Sequence, residues 1–165
     1  MLNLSKYFDS ENKSNIPWFP LGIFGIFLFS LTVRFWGLSR FNTLVFDEVH
    51  FAKFANNYLI HQQFFENHPP LGKYFIAVGI WLSKLLNIGG ETNNLTGSPL
   101  TPFSYRWMNA LIGSFIPVVI SAIAYQLTNL RFYSLIAGLL MSLEGLFLVE
   151  SRYALINIYL IILGY

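Results

Sequence analysis

The chain contains no cysteine, which excludes disulfides, thiol nucleophiles and zinc–thiolate centres. Charge is scarce as well. Only 11% of the 165 residues are Asp, Glu, Lys or Arg, against roughly a quarter in an ordinary soluble domain. The ten basic residues are scattered and leave a net charge of +2, so there is no dense basic stripe and nucleic acid is set aside as a partner. His50, His61 and His68 are the only imidazoles. What remains is apolar: 55% of the residues are hydrophobic and 18% aromatic. They fall in long blocks rather than at amphipathic spacing, and such blocks need lipid as solvent. No independent soluble domain and no internal repeat is visible.

Ile16 to Val33 carries no charge and as a helix would extend about 27 Å, enough to cross most of a hydrocarbon core. This predicts a first span at about 17–36 behind a cytoplasmic tail, 1–16. Arg34, Phe35 and Trp36 follow directly, with no small-residue cleavage site, so the block reads as a retained anchor. Trp18 and Trp36 suit its two interfaces, and Pro17 and Pro20 sit where a helix start tolerates them. Trp107 to Leu130 and Phe132 to Val149, the latter interrupted only by Glu144, predict spans at about 106–128 and 132–150, with Asn129, Leu130 and Arg131 as the turn. The uncharged run from Tyr153 to Tyr165 begins a span too short to cross, so the chain is expected to be an N-terminal piece.

Tyr74 to Leu86 is shorter and contains Lys84, which predicts an interfacial helix. Lys6, Lys13 and Arg131 then share the cytoplasmic side, as the positive-inside rule prefers. Residues 37–104 become an extracytoplasmic loop with two interfacial helices, and the fold class is an all-α integral membrane bundle. Gly89 to Pro102, rich in Gly, Pro, Asn and Thr, reads as an irregular linker without a function of its own.

The loop holds the candidate chemistry. Phe51, Phe54, Ala55, Tyr58 and Leu59 mark one face of a helix headed by Asp47 and Glu48. Both carboxylates are expected at the edge of that face, either as cap and dipole partner or as a reactive pair. In NHPPLGKYF, Pro69 and Pro70 start a helix, placing Lys73 and His68 at its positive end. Cations are disfavoured there unless they and the free N–H groups hold an anion such as phosphate; a solvated lysine is the simpler alternative. Arg106 and Arg152 stand at the outer mouths of spans, either snorkelling, or bridging phosphate oxygens or holding the acidic pair ionised. Glu144 lies within the third span and must line a cavity or be protonated against a neighbouring helix. Glu150 is an interface residue or a partner of Arg152.

Phe46-Asp47-Glu48-Val49-His50-Phe51, Tyr58, Phe64-Phe65 and His68-Pro69-Pro70-Leu71-Gly72-Lys73 resemble the first extracytoplasmic loop of the dolichyl- or polyprenyl-phosphate-mannose protein O-mannosyltransferases. Tyr105-Arg106-Trp107-Met108-Asn109-Ala110 and the run from Glu144 to Arg152 are similar to that family too. The resemblance implies the N-terminal part of a GT-C type bundle in a bacterial plasma membrane or the endoplasmic reticulum. It implies transfer of mannose from a polyprenyl phosphate to protein Ser or Thr hydroxyls, the partners being the lipid-linked donor, an acceptor polypeptide and membrane lipids. Under it, Asp47 is the candidate base and Glu48 a second acid that orients the site or pairs with Arg106. His68, Lys73, Arg106 and Arg152 are the candidate phosphate ligands. A divalent cation on Asp47 and Glu48 is conceivable only with further ligands, and no metal site is assigned. The aspartate that family members commonly carry after the Ser-Arg pair is met here by Asn157, an amide that cannot act as a base. A GT-C transferase for another sugar or a lipid acceptor, or a non-catalytic membrane protein, are the competing readings.

Overall fold

The computed structural model describes residues 17–164, so the expected tail at 1–16 lies outside the described residues. Among them all regular structure is helical: α1 (Trp18–Phe35), α2 (Glu48–Leu59), α3 (Leu71–Leu85), α4 (Pro102–Gly113), α5 (Ile116–Thr128), α6 (Arg131–Leu143), α7 (Gly145–Glu150) and α8 (Asn157–Gly164).

Among the described residues two stretches are long and apolar enough to cross a membrane, α1 and the nearly continuous α4–α5 from Pro102 to Thr128. Pro117 lies in the first turn of α5, where its missing N–H breaks the ladder and leaves Ser114 and Phe115 as a kink. The helix begins at Pro102, before the Arg106 boundary expected from charge. Thr101 caps it, its Oγ1 accepting from Ser104 N at 3.2 Å, and Pro102 fills the first position.

Asn129 ends α5 in the left-handed region, φ 54°, a conformation asparagine adopts readily, and α6 returns along α5. The two approach closely because Gly138 has no side chain: a Cβ there would lie 1.9 Å from Ser121 Oγ. Ser134 Oγ also donates to Ser121 O at 2.7 Å. The predicted third span is not one helix. The thirteen residues of α6 extend only about 20 Å; the chain then turns extended at Glu144, whose carboxylate accepts from Leu146 N and Phe147 N at the start of α7. Glu144 is exposed and acts as a helix cap. This capping role is one that neither sequence reading gave it.

The core lies where α2, α3, α4 and α8 meet. Phe51 and Ala55, Ile76 and Ile80, Tyr105, and Ile158 and Tyr159 pack together there, while Leu21, Phe24, Leu139 and Leu140 on α1 and α6 remain exposed. The 86–101 connection joins this packing. Asn93 and Leu100 exchange backbone hydrogen bonds of 2.8 and 2.9 Å, Leu100 is buried, and Asn56 donates to Ser98 Oγ at 2.9 Å. The linker is therefore a pinned loop that buries an apolar residue.

Candidate functional site

The two carboxylates at the head of α2 part company. Phe46 takes φ 53°, an uncommon conformation for a bulky residue. Beyond it Glu48 turns inward and is fully buried, whereas Asp47 is exposed and makes no side-chain cap bond. The expectation that both sit at the edge of one face is thus replaced by opposite placements, and Asp47 does not cap the helix.

Glu48 meets Arg106 in a two-point contact, Nε to Oε1 at 2.8 Å and Nη2 to Oε2 at 2.7 Å. Val45 N and Ala154 N add bonds to the same carboxylate at 3.1 and 3.0 Å. Arg106 spends its other donors on Leu38 O at 3.1 Å, Phe41 O at 2.8 Å and Thr43 O at 2.6 Å, so all five guanidinium N–H groups have acceptors. The rings of Tyr105 and Tyr153 lie 5.3 and 5.1 Å from it. A pair this enclosed is tolerable only because every lone pair and proton is matched. The pairing expected between Glu48 and Arg106 is present. Because of it Arg106 has no N–H left for a phosphate and Glu48 no free edge for a substrate. Together they tie residues 38–45, α2, α4 and the 154 backbone into one unit.

Asp47 faces a cavity of about 350 Å³ that it shares with His50, Phe54, Glu66 and His68. A neighbouring cavity of about 530 Å³ is lined by Tyr58, His61, Glu66, His68 and Lys73. Glu66 stands between them. Its Oε2 accepts from Lys73 Nζ and its Oε1 from His68 Nδ1, with His68 N–H on the same Oε1 at 3.1 Å. An ionised carboxylate only accepts, so His68 carries its proton on Nδ1. Lys73 also donates to His68 O at 3.0 Å and lies over the Phe54 ring. Only 1% of the residue is exposed, which replaces the solvated lysine. Burial pushes the Lys73 ammonium below its ordinary value, and the Glu66 carboxylate opposes that shift.

The local sequence explains the arrangement. Pro69 and Pro70 lead into α3, with Pro70 already in helical backbone conformation, and the first turn contains no acid and so leaves its positive end uncompensated. Glu66 supplies the missing negative charge from upstream. It was absent from the sequence reading, and its one signal is an acidic residue two positions before a His-Pro-Pro turn. Tyr58, packed on Phe64 and Tyr74, closes the far side; burial and the Tyr74 hydroxyl raise its pKa, so it stays protonated.

Arg152 lines neither cavity. It donates to Val33 O at 3.3 Å and Trp36 O at 2.6 Å, carbonyls at the C-terminal end of α1 where a cation is favoured. Glu150 accepts from Asn157 Nδ2 at 3.3 Å instead of pairing with Arg152; the ion pairs among the described residues involve Glu66 and Glu48 only. The structure therefore joins His68 and Lys73 through Glu66, sets Asp47 on the wall of a cavity that Glu66 and His68 also line, buries Glu48 and Arg106 against each other, and sets Arg152 apart. Among the described residues no group of three or more His, Asp or Glu is placed to hold a metal ion. With Glu48 committed to Arg106, it and Asp47 do not form a shared cation site.

The family model for dolichyl-phosphate-mannose-protein mannosyltransferase matches residues 25–164. Protein O-mannosyltransferase 1 of Drosophila melanogaster is 31% identical over 140 residues, covering 80% of this chain and 15% of the relative. Dolichyl-phosphate-mannose–protein mannosyltransferase 4 of Saccharomyces cerevisiae is 32% identical over 145 residues, covering 82% and 18%. Polyprenol-phosphate-mannose–protein mannosyltransferase of Mycolicibacterium smegmatis is 30% identical over 126 residues, covering 72% and 22%. The chain thus spans about a fifth or less of the length of these relatives. No solved structure matches it significantly.

Proposed function

Since the chain belongs to the dolichyl-phosphate-mannose-protein mannosyltransferase family, we propose that it forms the acceptor-activating and phosphate-binding part of an enzyme that transfers mannose from a polyprenyl phosphate to Ser or Thr hydroxyls of proteins. The observation that carries this reading is the free carboxylate of Asp47 on the wall of the cavity that also holds His68 and Glu66, with Lys73 bonded on the far side of Glu66.

A polyprenyl phosphate sugar already carries its leaving group. The acceptor oxygen forms a bond to the mannose anomeric carbon as the bond from that carbon to the phosphate oxygen breaks. The hydroxyl proton passes to Asp47 as general base, and negative charge grows on the departing phosphate. Lys73, the His68 imidazole and the free N–H groups at the head of α3 are the groups that would meet that charge. Glu48 and Arg106 act as positioning residues, since their closed pair fixes the backbone from which Asp47 projects. Arg152 is retained as the anchor joining the α7–α8 connection to α1, and no longer as a phosphate ligand.

In the membrane, α1 and α4–α5 cross as the first elements of a GT-C bundle, with 37–104 on the extracytoplasmic face and α2 and α3 along the interface. The scarcity of charge and the apolar residues left exposed on α1 and α6 support this arrangement, and the positive-inside rule orients it.

The test is transfer of labelled mannose from polyprenyl phosphate mannose to a Ser/Thr peptide by membranes containing the complete protein. Transfer that disappears in Asp47→Asn, with unchanged protein level, is the expected result. An Asp47→Asn enzyme as active as its parent overturns the assignment of the base, and no transfer by the parent overturns the reaction.

A further inference from the structure

Glu66 is a carboxylate placed where an anion ligand would be. Three donors converge on it: Lys73 Nζ, His68 Nδ1 and His68 N–H. The two side-chain donors are among those that the proposed function assigns to the donor phosphate, and the Lys73 contact is a direct ion pair. The contact is nearly enclosed, with the Glu66 side chain 9% exposed and that of Lys73 2%, yet it forms the partition between the two cavities.

A phosphate oxygen and the Glu66 carboxylate would compete for the same N–H groups. If both stayed, two anions would face one ammonium, and like charges brought together at a desolvated site repel strongly. Lys73 can donate three hydrogen bonds and already makes two, to Glu66 and to His68 O, so one N–H remains for a newcomer until Glu66 leaves. Glu66 belongs to the segment between α2 and α3, outside either helix, and rotation of its side chain away from Lys73 would break no backbone–backbone hydrogen bond, only the bonds it accepts from Lys73, His68 Nδ1 and His68 N–H.

We propose that Glu66 is a built-in competitor of the polyprenyl phosphate. Its carboxylate occupies the phosphate position in the empty site, is displaced when the donor binds, and returns to help expel the polyprenyl phosphate product. The inference rests on the proposed function, because it takes the ligand class from that reading. It adds a specific consequence: the transferred sugar leaves behind a phosphate monoester, more negative than the diester donor, and a returning carboxylate opposes its retention.

The experiment measures binding of a short-chain polyprenyl monophosphate to the complete protein purified in detergent, for the parent and for Glu66→Gln, Glu66→Asp and Lys73→Met. Glu66→Gln keeps the shape and removes the charge, so it is expected to bind the phosphate roughly tenfold more tightly and to be more strongly inhibited by product in the transfer assay. Glu66→Asp should stay near the parent, and Lys73→Met should bind least. Were Glu66 only a brace holding Lys73 and His68 in place, Glu66→Gln would bind equally or more weakly, and that result overturns the proposal while leaving the phosphate site standing. Absence of binding in the parent and in every variant overturns the phosphate site itself and this inference with it.

Discussion

Glu48 and Glu66 each hold a cationic side chain, but the first is sealed beneath α2 with every donor and acceptor matched, while the second stands between two cavities. Both ion pairs are largely buried; what separates them is how many other groups close around them. Arg106 has five protein acceptors, three of them carbonyls of the 38–43 segment, and nothing remains to recruit a ligand. Lys73 is held by Glu66 and a single carbonyl. A charge pair that exhausts its hydrogen bonds serves architecture, and one that leaves some unused beside a cavity can exchange partners.

The comparison is most sharply broken at the closed pair. Arg106→Ala or Glu48→Ala leaves an uncompensated buried charge and should cost about 3–5 kcal/mol of stability, read as a fall in unfolding temperature of the purified protein. Replacing both residues by methionine removes both charges, and the double variant should be more stable than either single one. A double variant less stable than both would show that the bonds to Val45, Ala154 and the 38–43 carbonyls matter more than the pairing itself.

The open side should respond in activity. Asp47→Asn is expected to lower transfer by about a hundredfold or more without moving the unfolding temperature, because the parent side chain makes no cap bond. Lys73→Met should raise the donor KM by roughly tenfold, the loss of one charge-assisted contact, and change stability less than Arg106→Ala does. Arg152→Ala lies outside both clusters. It removes two bonds to the end of α1 and should cost only about 0.5–1 kcal/mol, with the donor KM unchanged; a rise in KM would restore Arg152 to the phosphate site.

Much of this was legible in the residues, though unevenly. The all-helical class follows from the apolar blocks, and the pairing of Glu48 with Arg106 was among the expectations. The reading of residue types could not tell which of two adjacent acids would turn inward, since that depends on Phe46 adopting a positive φ and on Ala154, more than a hundred residues on, offering its N–H. Charge marks where a span would meet the interface and not where its helix starts, which for α4 is set by the Thr101-Pro102 cap, whose chemistry was in plain view. Glu144 read as a charge inside a span because an unbroken apolar run implies an unbroken helix. Glutamate followed by glycine is instead a break that the carboxylate then caps. Glu66 was missed because its partners lie two and seven residues away on a bent segment, where helical spacing does not apply.

The division between a structural acid and a chemical one is tested most directly by carrying Asp47→Asn and Glu48→Gln through the same two assays, mannose transfer and thermal unfolding of the complete protein. The expected result is a crossed pattern: Asp47→Asn unfolds with its parent and transfers almost nothing, whereas Glu48→Gln unfolds at a distinctly lower temperature. An active Asp47→Asn, or a Glu48→Gln as stable as its parent, would contradict the account.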